Sequence, residues 1–160
     1  MGLLVRAVIQ VPLWATDLIG PGATQQQLTT MINAQGVLPQ EMLRVGSQLW
    51  YSYYAMVPLT CACREVYWQT GTNFFTDPTT GPRVQAAIQN IIGMAANPTA
   101  ATGKPAGTAS QPWPYDLVDA MAEQYNSDAW RAVSAPMSPI SYWSHHTGWN
   151  IPTLTAEAGL

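Results

Sequence analysis

Apolar residues recur at three- and four-residue intervals through the middle of this chain, a spacing that predicts helices. The first runs from Thr24, with Leu28, Met31 and Ile32 on one face and Gly36 as its stop. Thr24 and Gln27 read as a capping box at its start. A second opens at Pro39 and carries Met42, Val45, Leu49, Trp50, Tyr53, Tyr54 and Val57 at the same interval. Gly46 inside it suits a close helix approach. Pro58 is expected to kink or end it, with a further helical piece over 59–70 stopped by Gly71. "TDPTTGPR" reads as a turn, followed by a third helix from Pro82 to about Ala96.

A fourth helix starts near Pro114, with Tyr115, Val118, Met121, Ala122 and Tyr125 on one face and Asp116, Asp119 and Glu123 on the other. Ser127 can cap a short helix reaching Ser134. Residues 97–112 are small, polar and aperiodic, which reads as a flexible loop. Residues 1–23 hold a loosely alternating "VRAVIQV", fit for a strand or a docked tail. Residues 135–160 carry Tyr142, Trp143 and Trp149 without a period. The expected architecture is mainly α: a bundle of four to five helices over 24–134, an N-terminal arm over 1–23 and an aromatic C-terminal arm over 135–160.

Composition sharpens that picture. Charged residues make up 9% of the 160, against about 25% in ordinary globular domains. There are 7 Trp, 7 Tyr and 7 Met, with 6 Lys and Arg together. Protein interfaces deplete Lys, Glu and Asp at their centres and enrich Tyr, Trp, Met and Arg. The composition therefore implies a subunit covered by copies of itself. On this reading Trp50, Tyr53, Tyr54, Tyr67, Trp68, Trp143 and Trp149 are the interface residues. Net charge is −3, and no basic block suggests a monomeric nucleic-acid binder.

Candidate chemistry is sparse. Cys61 and Cys63 are one residue apart, too close for a zinc pair and about 200° apart on a helix. Adjacent His145 and His146, in "YWSHHTGW", lack the i, i+4 spacing of a helical metal site. One of them could act as a base beside Ser141 or Ser144, but no nucleophile motif accompanies them. The acids Asp116, Asp119 and Glu123 read as a solvated stripe. "GPGATQQQ" leads into a helix N-terminus but lacks the lysine of a phosphate loop. Residues 45–63 are uncharged and long enough for a membrane span, yet their tyrosines sit mid-stretch and not at the borders. Neither a span nor a cleavable signal is expected. No catalytic residue, metal or cofactor is assigned.

Low charge, an N-terminal arm, amphipathic helices and the helix-to-loop segment "RVQAAIQNIIGMAANPT" resemble the coat proteins of filamentous archaeal viruses. The resemblance covers residues 24–134 and lies in composition and element order. It implies helical subunits stacked around double-stranded DNA with arms wrapping neighbours. In such a polymer Arg44, Arg64, Arg83 and Arg6 would recur in every subunit and line a track for phosphates. The leading expectation is thus a non-enzymatic virion coat protein. Its partners would be its own copies, double-stranded DNA and a second coat protein, with no small-molecule substrate. Two alternatives stand beside it. One is a small enzyme or metal-binding domain using His145, His146 and the cysteines. The other is a secreted aromatic-rich binding module or pilus-like subunit.

Overall fold

The computed structural model describes residues 21, 22, 24–97 and 115–137. Every regular element among them is helical. In chain order these are α1 over residues 24–31, α2 Pro39–Met42, α3 Gln48–Thr70, α4 Gly81–Ala96, α5 Tyr115–Tyr125 and α6 Asp128–Ser134, with a 3₁₀ turn at Ala135–Met137. The mainly α bundle is as the periodicity indicates. Six helices stand against the expected four to five, the short segment after Ser127 counting as a helix of its own, and the second predicted helix divides at a different place.

That division falls at 43–47, ahead of α3. Gly46 adopts φ +80°, a left-handed conformation that glycine takes at little cost. The Ser47 N–H returns to the Arg44 carbonyl at 2.9 Å. Gly46 therefore turns the chain between α2 and α3. Pro58, in contrast, lies inside an unbroken 23-residue helix. A proline removes one helical N–H and crowds the preceding turn, at about 3 kcal/mol in an isolated helix. Here Met56, Val57, Leu59 and Thr60 beside it are all buried, and their packing outweighs that local cost.

α1 follows the expected spacing. Residues 21 and 22 are helical, as are 24–31. Leu28 and Ile32 are fully buried as their spacing requires. The following loop closes on Asn33, whose side-chain oxygen accepts the N–H groups of Gln35 (3.0 Å) and Val37 (2.9 Å). Gly36, at φ +73°, lets the loop backbone touch α4, where a Cβ would lie 2.3 Å from the Ala86 carbonyl carbon.

The turn before α4 is stapled by side chains. Asp77 accepts the N–H groups of Thr79 and Thr80, both at 2.9 Å, and Thr80 Oγ1 donates to the Phe74 carbonyl at 2.7 Å. The Thr80 N–H, then that of Thr79 and the Thr80 hydroxyl, hold the Asp77 carboxyl below its ordinary range. The staple turns Phe74 and Phe75 inward, each 2% exposed.

α3 is the central strut. Its buried side joins Leu28, Ile32, Phe74, Phe75, Val84, Ile88, Ile91, Leu117 and Met121 in one hydrophobic cluster. α6 folds back on α5, and Ser127 caps it by accepting the Trp130 N–H, as the sequence indicates. An edge-on aromatic chain runs from Phe75 through Tyr125 to Trp130, with centroids 5.9 and 5.6 Å apart. Among the described residues no helix is long and apolar enough to cross a membrane.

Candidate functional site

The arginines that flank the aromatic stretch occupy different settings. Arg44 sits on the 43–47 loop, paired with Glu41 at 2.7 Å and placed over the Tyr51 ring at 4.1 Å. Arg64 stands on α3 over the Trp68 ring at 5.4 Å. Burial lowers its pKa, opposed by Cys61; a guanidinium nevertheless keeps its charge in proteins. Arg83 donates to the Ile32 carbonyl at 2.7 Å and so ties α4 to the end of α1. Arg6 lies outside the described residues.

On α3, the 100° step per residue puts Trp50, Tyr54, Cys61, Arg64 and Trp68 within an arc of about 80°. Eighteen residues separate its ends, about 27 Å along the axis. The row borders the buried face, so its members lean on the core while presenting part of their surface. Tyr54 is 48% exposed and Trp68 54%. Trp50 stacks on Tyr54 with centroids 6.5 Å apart and tilts against Tyr53 at 6.2 Å. Tyr67 is exposed too, but points away from this arc. Trp143 and Trp149, like His145 and His146, lie outside the described residues.

Tyr53 itself belongs to the core, with no exposed surface. Its hydroxyl donates to both carboxylate oxygens of Asp116 at 2.8 Å, linking α3 to α5. Asp116 is fully buried, which corrects the solvated acidic stripe. Burial pushes its pKa up to about 6, while the Tyr53 hydroxyl and the backbone N–H groups of α5's first turn pull it down. Asp119 accepts from Ser134 at 2.7 Å, and Glu123 pairs with Arg131 at 2.9 Å. These acids serve α5–α6 packing and offer no pair across a cleft. The Tyr53–Asp116 bond had no local signal, since the partners are 63 residues apart.

The cysteines diverge as helical geometry requires. Cys63 is buried and Cys61 half-buried, both as free thiols. Burial pushes each pKa up to about 12, so neither is a thiolate nucleophile or ligand at neutral pH. Among the described residues no three His, Cys, Asp or Glu side chains converge as a metal site.

Chemically, the α3 row combines flat apolar rings with a fixed guanidinium. Rings of this kind stack on apolar ring faces of a ligand, and a guanidinium recognises carboxylates or phosphates. Across known families, the model described as "Alginate lyase" matches residues 17–101, just over half of the chain. No curated protein and no solved structure matches. The matched span contains α1 to α4 and therefore the whole α3 row. The chain belongs to the alginate lyase family, which is a family of enzymes.

That membership overturns the coat-protein reading and the expectation of a non-enzyme. Self-assembly around double-stranded DNA, a second coat protein and the absence of a substrate fall with it, and the virion location loses its support. The misleading signal was composition. Aromatics, arginine and scarce charge suit a protein interface, but they equally suit a surface that holds a carbohydrate.

Proposed function

We propose that this member of the alginate lyase family cleaves an acidic polysaccharide of the alginate type by elimination. The family match over the helices that carry the α3 row is the observation behind this reading. In such a reaction a base removes the proton α to the uronate carboxylate. The electron pair then forms a ring double bond, and the glycosidic oxygen departs with a proton. No water is consumed, and the new chain end is an unsaturated uronate.

Two demands of that chemistry have counterparts in this chain. A uronate carboxylate needs a cation, because negative charge builds on it as the proton leaves. Arg64 on α3, with Arg44 at the 43–47 loop, supplies cations beside aromatic rings. The rings of Trp50, Tyr54 and Trp68 offer faces for the C–H sides of successive sugars. The proton transfers fall to the His145–His146 pair, the two imidazoles of the sequence. Imidazole titrates near neutrality and is the usual general base there.

Incubation with polymannuronate and polyguluronate, followed through the ultraviolet absorbance of the unsaturated product, tests the reading. Product accumulation is expected, and His145→Ala or His146→Ala should lower kcat about 10²- to 10⁴-fold with polymer affinity unchanged. Polymer binding without any unsaturated product would leave a carbohydrate-binding module in place of a lyase.

A further inference from the structure

On the side of α3 away from the aromatic row, the 36–42 segment and α4 enclose a groove of about 500 Å³. That volume lies within the range of small-molecule sites. Leu38, Met42, Ile91 and Met94 make it largely apolar, Gln89, Asn90 and Asn97 add carboxamides, and among the described residues no charged side chain lines it. Ser52 also lines it, and its hydroxyl is an unsatisfied polar group. Ser52 has no exposed surface, and Oγ has no hydrogen-bond partner. A buried hydroxyl left unpaired costs about 1–3 kcal/mol; a helix would ordinarily answer it with the carbonyl one turn back.

The walls are fixed without a ligand. Gly36 brings the loop backbone against Ala86 and Ala87 of α4. Asn90 donates to the Gln35 carbonyl at 2.9 Å, and Arg83 holds the Ile32 carbonyl at 2.7 Å. A preformed groove lined in part by a residue whose buried hydroxyl lacks a partner has the anatomy of a ligand site, and it is distinct from the α3 row.

We infer that this groove binds a small neutral molecule with an apolar body and one hydroxyl or amide head, the head pairing with Ser52 Oγ. Neutrality follows from the lining, since a charged head would lose its hydration without gaining a counter-ion. The inference does not depend on the lyase reading.

The probe is hexan-1-ol, with hexanoate as its charged counterpart, titrated into the full chain and followed by the amide NMR signals of Asn90 and Gly93. Saturable shifts are expected with hexanol, and at least tenfold weaker binding with hexanoate. Ser52→Ala should weaken hexanol about three- to tenfold, the loss of one neutral hydrogen bond, without lowering the thermal midpoint. Gly93→Leu should weaken hexanol binding, because Gly93 lines the groove and a Cβ there meets nothing within 4 Å. Absence of saturable shifts, hexanol binding undiminished in Gly93→Leu or in Ser52→Ala, or hexanoate binding as tightly as hexanol would each overturn the inference.

Discussion

Asp116 carries a carboxyl that is costly to keep ionised where it stands. Its pKa is raised from 3.8 to about 6 by burial, despite the one Tyr53 hydroxyl shared between its two oxygens. Between those values the folded protein holds a proton that the unfolded chain has released. Stability therefore falls as pH rises from about 4 to about 6, and the full cost, up to about 3 kcal/mol, is present above that window. Asp116→Asn should flatten this part of the stability profile. Urea-unfolding midpoints at pH 4 and pH 8 measure it; a variant that retains the wild-type difference would exclude Asp116 as its source. Tyr53→Phe acts on the same bond from the other side. It leaves a buried carboxylate short of its donor and should cost about 2–3 kcal/mol at pH 8, and less at pH 4, where the acid is neutral.

At the scale of elements, two glycines 57 positions apart in sequence meet the same substitution with opposite signs. Gly36 combines φ +73° with a Cβ position 2.3 Å from α4 backbone. Gly36→Ala should destabilise by more than about 2 kcal/mol, because neither the loop nor the helix backbone can give way. Gly93 sits inside α4 with open space around it. Gly93→Ala should stabilise by about 0.5–1 kcal/mol, through the lower backbone entropy of alanine in the unfolded chain. Thermal unfolding of the two variants against the wild type decides both. The same contrast explains the helix boundaries. Gly71, the Asp77 turn and the Ser127 cap are local devices and were legible from residue order. The continuation of α3 through Pro58 was not, since long-range packing on both sides of the proline decides it.

For the whole molecule, the row on α3 is the feature that joins fold to proposed activity. Its charge is screened by salt and its ring faces are not. Arg64→Ala should therefore weaken alginate binding about tenfold at low ionic strength, and by less in high salt. Trp68→Ala should weaken it at both. Affinities measured at two salt concentrations separate the contributions; equal salt dependence in wild type and Arg64→Ala would remove Arg64 from the polymer contact.

Residue order by itself determined where most helices lie and that Cys61 and Cys63 cannot share a ligand. Each depends on spacing within one helix or on a cap a few residues away. Periodicity could not place Trp50, Tyr54, Arg64 and Trp68 along one helix side, because Pro58 was expected to interrupt the helix between them. Nor could it say which side met the core, because a helix carries no record of its neighbours. Tertiary structure decided that Tyr53 and Asp116 are inside and bonded to each other. It set Arg83 against the Ile32 carbonyl and placed the unpaired Ser52 hydroxyl beside a groove. Those outcomes turn on distances between segments far apart in the chain, which folding fixes and local pattern does not encode.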